Sequence, residues 1–230
     1  LLGTRLVTAC GGADTAKDPL AERDPAVSEA LSDPLMADPD LTTQNQDGAA
    51  LTGGGPASAA IPPEQRSPEE IAAARRAALA AAGGAIAAAP APEKTTDTSR
   101  FAKAATAQAI AAALGLGGKG CADSLDYSAL WAARLPPPFE VYPRGHVGQA
   151  AGAQTPGCAL RVVGFVTPVP SSDVLDYYAA RAAAQGFSVR HVREGDDQTL
   201  DGAQGAARYG VIVRRRADGL TQADIVTSGF

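Results

Sequence analysis

The chain has 230 residues, 20 of them basic and 25 acidic, for a formal charge of −5. That balance excludes a whole-chain basic footprint for nucleic acid, and no apolar run is long enough to span a bilayer. Hydrophobic residues make up 45% of the chain and aromatics only 5%; much of the remainder is alanine, which buries little surface, so a large core over the whole length is not expected.

In chain order, Leu6-Val7-Thr8-Ala9-Cys10 comes first, with small residues at the two positions before the cysteine. The stretch resembles the lipobox of bacterial lipoproteins. That resemblance implies cleavage before Cys10 and a diacylglycerol on its thiol. The departure is upstream: the chain starts with Leu1, and only nine residues precede Cys10. A signal peptide needs a charged start and an apolar stretch of about 7–15 residues. Residues 1–10 are therefore read as the remnant of a signal peptide whose start is missing. Gly11, rather than Asp, resembles the outer-membrane sorting pattern. The expected location is the bacterial cell envelope, at the outer membrane and facing the periplasm. The alternative is an ordinary cysteine after a short apolar segment. With Cys10 lipidated, Cys121 and Cys158 can pair in an oxidising compartment. The bridge would close a loop of about 37 residues and contribute about 3–4 kcal/mol in the chain-entropy model. Two unpaired buried thiols are the other reading.

Residues 11–119 read as a tether with short helices and linkers. Asp24-Pro25 and Asp38-Pro39 each suit a helix start, because proline fits the first helical position. Val27, Leu31, Leu35, Met36 and Leu41 would give such helices a thin apolar stripe to dock on a partner or on the C-terminal domain; a largely disordered linker is the equal alternative. Gly53-Gly54-Gly55-Pro56 to Pro62-Pro63 is a linker by composition. Ser67-Pro68-Glu69-Glu70 is a capping box and predicts an Ala-rich helix running to Gly83. Ser99 is expected to cap a second Ala-rich helix over 100–114, stopped by Gly115. Alanine gives both strong propensity and little to bury, so both are expected as spacers or weakly docked rods.

The composition changes at Cys121, and residues 120–230 are read as the folded domain. Leu125, Tyr127, Leu130 and Trp131 predict a short amphipathic helix, ended by Pro136-Pro137-Pro138. Residues 139–142 are expected to form the first strand, followed by a turn at Pro143-Arg144-Gly145. Residues 160–167 predict a strand. Leu160, Val162 and Phe165 do not share one alternating face, which a bulge or burial on both faces would explain. Ser171 or Ser172 is expected to cap a helix through Val174, Leu175, Tyr178 and Ala182, with Gly186 as its stop. Strands are predicted over 187–194, 198–200, 208–216 and 222–227, the last two joined by an Asp218-Gly219 turn. The fold class is α+β: a small antiparallel sheet with one packed helix, in the order β-β-α-β-β-β. Tyr142-Pro143, the strand ending in Thr167-Pro168, the run DVLDYYAARAAAQGF and the closing strands resemble uncharacterised proteobacterial secreted lipoproteins. They are more distantly similar to the C-terminal domains of BamC, an accessory lipoprotein of the β-barrel assembly machinery. The resemblance implies a helix on an antiparallel sheet and carries over no catalytic residue.

Catalytic signals are sparse. Gly115-Leu116-Gly117-Gly118-Lys119-Gly120 fits G-x-G-x-x-G literally, but a dinucleotide loop must follow a strand and open a helix. Here it follows a helix and is read as a hinge. Asn45, Asp47 and Gly48 have calcium-loop spacing, but Thr43 and Gly54 replace the required acids. Zinc-hydrolase spacing and a Gly-x-Ser-x-Gly turn are absent, so no metal and no cofactor is expected. Asp196 and Asp197 are read as a solvated turn, His191 as facing solvent and His146 as lying in a turn. The candidate binding surface is Tyr177, rotated about 100° from the core-facing Tyr178, with Arg181, Arg144, Arg214 and Arg216. Guanidinium groups there would meet an acidic envelope protein or anionic lipid; a solvated strand end is the blander account of Arg214 and Arg216. Two functions follow. One is a non-enzymatic, lipid-anchored binding or assembly module. The alternative is a periplasmic hydrolase-like enzyme with a site near His146, favoured if two or more titratable groups converge there.

Overall fold

The computed structural model describes residues 61–94, 98–118 and 120–230. Cys10, the Asp-Pro segments and Lys119 lie outside the described residues.

A strand buried on both faces sits inside the sheet. This strand, β4, spans Cys158–Thr167 and lies between β3, His146–Thr155, and β8, Thr221–Ser228. Val163 and Phe165 enter one core, whereas Leu160 and Val162 enter another on the opposite face. Double-sided burial therefore explains the mixed pattern of β4. Its register against β8 is unbroken, and the bulge falls in β3, between Val147 and Gln149. The other strands are β1 Glu93–Lys94, β2 Asp126–Tyr127, β5 Arg190–Glu194, β6 Asp197–Gln204 and β7 Ala207–Arg215. The eight strands run in the order β1-β5-β6-β7-β8-β4-β3-β2. Among the described residues only the short β1–β5 pairing is parallel; every other pairing is antiparallel, so the class is α+β.

Two details of the expected order change. Four strands follow the central helix, matching the four predicted spans and one more than the order β-β-α-β-β-β counts. The strand that precedes and pairs with β4 is β3 rather than 139–142, and the two-residue β1 and β2 come before it in the chain. Phe139 and Tyr142 are buried anchors in an irregular segment, where the prolines before Phe139 cannot donate to a ladder. Strand β3, HVGQAAGAQT, carries few branched residues and so gives a weak strand signal. Its small side chains make room for Trp131: a Cβ on Gly152 would stand 2.4 Å from Trp131 Cδ2.

The Ala-rich helices are not loose rods. Helix α1, Pro68–Ala81, starts at Ser67, whose hydroxyl accepts from Glu70 N at 3.3 Å. Its Ala74 and Ala78 are buried in the first core. Helix α2, Ala107–Leu114, buries Ala107, Ile110 and Ala111 in the second. Alanine faces let a helix approach closely, so burial comes from many short contacts rather than from large side chains. The boundary expected at residue 120 is thus replaced by a folded region that already includes Ile61, which is 1% exposed. Helix α2 begins at Thr106, which caps Ala109 N at 3.2 Å, and not at Ser99. Ser99 is occupied otherwise, accepting from Phe101 N at 3.0 Å and donating to Asp197. The amphipathic helix expected around Leu125–Trp131 resolves into a 3-10 turn, β2 and the one-turn α3, Leu130–Ala133.

Helix α4, Ser171–Ala184, lies on the first core. Neither Ser171 nor Ser172 caps it; Pro170 occupies that position with no side-chain cap. Its end is a Schellman turn at Gly186 (φ 81°): Phe187 N donates to Ala182 O and Gly186 N to Ala183 O, both at 3.0 Å. Cys121 and Cys158 form a disulfide with Cα atoms 5.4 Å apart, tying the chain after α2 to the start of β4.

Candidate ligand cleft

Strand β8 alternates cleanly. Ala223 and Ile225 enter the first core, and Val226 enters the second. Asp224 shares the second face with Val226 by the period of two, opposite Ile212 of β7 and Gly164 of β4. The segment leading into α2 crosses this face and leaves a cleft of about 270 Å³. Phe101, Ala104, Ala105 and Ile110 form one wall. Gln149, Gly164, Arg214, Gln222 and Asp224 lie opposite.

Asp224 is 0% exposed. A side chain at Gly164 would put its Cβ 2.8 Å from Asp224 Oδ1, so the glycine makes room for the carboxylate. Arg214 spans two acids, with Nη2 3.5 Å from Asp224 Oδ2 and Nε 3.3 Å from Asp197 Oδ1. Gln222 Nε2 donates to Asp224 Oδ2 at 3.4 Å. Asp224 Oδ1 has no hydrogen-bond partner among the described residues. Burial pushes the Asp224 carboxyl up to about 6; Arg214 and the Gln222 hydrogen bond oppose that rise, and Asp197 adds to it. A buried acceptor left unpaired costs about 1–3 kcal/mol. The site offers one free carboxylate oxygen, a guanidinium already shared between two acids, and apolar walls.

The expected surface residues do not form one surface. Arg214 and Arg216 share a face, as expected, and both line the cleft. Each is already paired, Arg216 Nη2 with Asp218 at 3.1 Å. Tyr177 is a correction: it is 1% exposed, not a partly exposed contact. Helix α4 is covered on more than its sheet side. Tyr142 packs edge-on to Tyr177 at 4.9 Å, and α1 is tied alongside by Arg75 Nε and Asp173 Oδ2 at 2.5 Å. Arg181 serves this interior, donating to the Tyr177 hydroxyl at 2.8 Å and pairing with Glu140 at 2.8 Å. Arg144, in the left-handed region at φ 63°, pairs with Glu70.

His191 and Asp197 are buried rather than solvated, at 6% and 8% exposure. His191 Nδ1 lies 2.7 Å from Pro90 O, so the segment before β1 covers it. His146 opens β3 and shares a depression with Glu64, Glu70 and Arg144. Glu70 there is engaged by Arg144, and no side chain among the described residues hydrogen-bonds the His146 imidazole. In the glycine loop, Gly115 (φ 67°) ends α2. A Cβ on Gly117 would stand 2.7 Å from Leu160 Cδ2, so that loop packs onto β4. No group of three or more His, Cys, Asp or Glu among the described residues is placed to hold a metal ion, and none of the described helices is long and apolar enough to cross a membrane.

Asp224 was not among the residues expected to matter. A signal for it exists: the Asp218-Gly219 turn closes with Arg216 N donating to Leu220 O at 2.8 Å. That turn sets Arg214 opposite Gln222 and Ile212 opposite Asp224, which puts Asp224 on the arginine face. No protein-family model matches the chain, and neither a curated protein nor a solved structure is detectably similar to it.

Proposed function

We propose that the chain is a lipid-anchored protein of the bacterial envelope whose α+β domain is a non-enzymatic binding module, with the Asp224 cleft as its binding site. The observation that carries the reading is the buried, partnerless Asp224 Oδ1 in a cleft with apolar walls. Small-molecule sites combine such walls with a few convergent polar groups. Buried polar atoms are for the most part hydrogen-bonded, so one left unpaired beside a cleft calls for an explanation. Cys10 supplies the anchor, and more than one acyl chain is needed for stable attachment, at about 0.8 kcal/mol per buried CH₂.

Two variants of the exported full-length protein test the two halves separately. Cys10→Ser should leave the membrane fraction; retention there removes the anchor from the proposal. Ala105→Trp fills the cleft mouth from an exposed position. In a thermal-shift screen of small amphiphiles, compounds that raise the melting temperature of the parent should not raise that of Ala105→Trp, because only ligands of the native state stabilise it. Equal shifts in both would move the site elsewhere.

A hydrolase-like centre at His146 is the second reading. It is favoured by Glu64, Glu70 and Arg144 lining the same depression. It is weaker because Glu70 and Arg144 neutralise each other, and no group orients the imidazole as a general base requires.

A further inference from the structure

We propose that the Asp224 cleft takes a primary ammonium group carried on a short apolar body, with Asp224 Oδ1 accepting from the ammonium. The inference rests on the cleft being the binding site and names the class of ligand it holds.

Charge selects the head group. Asp197 and Asp224 face a single guanidinium, Arg214, so with both acids ionised the cluster carries one uncompensated negative charge. Arg216 adds no net charge, because Asp218 pairs with it. An anion would meet two carboxylates whose only cation is already shared. An alcohol would supply a donor but leave the charge uncompensated. An ammonium supplies both, and charge-assisted hydrogen bonds are the stronger kind.

Shape selects the body. Phe101, Ile110 and Val166 line the cleft, and the segment leading into α2 contributes no charged side chain to it. Its volume, about 270 Å³, lies just below the usual range for ligand sites, so the body must be small. Gln149 is the gate. Its side chain lies beside Asp224 Oδ1 over Gly164, and a rotamer change admits the head group.

Binding of this kind depends on pH. The charged groups facing Asp224 are Arg214 from β7 and Asp197 from β6; β3 and β4 present the uncharged Gln149 and Gly164, and β8 itself presents Gln222. The carboxyl, raised to about 6, is mostly ionised at pH 7 and mostly protonated at pH 5. An alkylammonium stays charged at both, so its affinity should fall about tenfold from pH 7 to pH 5.

The test is a titration of the ¹⁵N-labelled full chain with hexylammonium, hexanol and hexanoate, followed by amide shifts at pH 7 and pH 5. Hexylammonium should shift Gly164, Gln222 and Asp224 and bind at least about tenfold more tightly than the other two at pH 7, where charge pairing adds to burial. It should lose that margin at pH 5. Asp224→Asn should lose it at both, and the pH comparison on the unaltered protein carries the test without any variant. Hexanol binding the cleft as tightly as the amine, hexanoate binding better, or a pH-independent amine affinity would overturn the ligand class while leaving the cleft as a site. Absence of cleft shifts with all three probes would overturn the site itself.

Discussion

Gly164 and Asp224 face each other across β4 and β8, and the hydrogen that stands for a side chain at one position makes room for the carboxylate at the other. A methyl at residue 164 would stand 2.8 Å from Asp224 Oδ1 and 3.1 Å from Gln149 Cγ. Gly164→Ala should therefore destabilise by about 1–3 kcal/mol, as overpacking does. A lower denaturation midpoint at unchanged slope would show it.

Asp224 makes stability fall with rising pH. Its carboxyl is raised from 3.8 to about 6, so the folded state holds the proton that the unfolded state loses between those values. Its contribution is fully present below the unfolded value and lost as pH rises through the folded one. The loss is about 3 kcal/mol by neutral pH. Asp224→Asn should raise the melting temperature at pH 7.5, and the gain over the parent should shrink steadily towards pH 4.

Arg214 is not a free surface cation, so its removal should do more than weaken a contact. Without it, Asp197 and Asp224, 8% and 0% exposed, lose the cation between them, and the Asp224 carboxyl, which Arg214 holds down, is pushed further up. Arg214→Ala should cost about 3–5 kcal/mol at pH 7. Arg216→Ala should cost less than about 1 kcal/mol, since its pair with Asp218 sits at the solvent boundary, 35% and 37% exposed, and joins residues two apart in one turn. Urea denaturation of the two single variants separates the cases.

Trp131 is the one tryptophan of the chain, which makes the β3 surface easy to follow. It lies flat on Gly152, where an added Cβ would be 2.4 Å away. Gly152→Ala should displace the indole towards water and red-shift its emission, with a loss of stability of about 1–3 kcal/mol.

Alkali should unfold the domain as its tyrosines ionise. Burial pushes the Tyr142 hydroxyl up to about 12, and raises Tyr178 and Tyr209 as well. Each contributes stability that is present below the ordinary value of 10 and is lost as pH rises through the folded value. In a Tyr127→Phe variant, which leaves the four buried tyrosines, tyrosinate absorbance should rise together with the loss of circular dichroism above pH 10, not before it.

Most of the sheet was legible because β4 and β7 are rich in branched residues and the Asp218-Gly219 turn is explicit. Strand β3 was not, because its alanines and glycines serve as a floor for Trp131 rather than as strand formers. The docking of α1 and α2 was missed for a related reason. Alanine buries little per residue, so a helix that is packed by alanines reads the same as one that is not. Tyr177 was misplaced because helical spacing assigns a single buried face, whereas Tyr142 and α1 cover a second side of α4. Of the cleft, Arg214 and Arg216 were legible as charge. Asp224 needed the hairpin register to join them.

The most direct test is an amide-shift map of the ¹⁵N-labelled protein against a small-molecule extract of bacterial envelopes. The account predicts shifts at Gly148, Gly164, Val166, Gln222 and Asp224, which line the cleft, and their loss in Ala105→Trp. Shifts centred instead on His146, Arg144 and Glu64, or an unchanged pattern in Ala105→Trp, would contradict it.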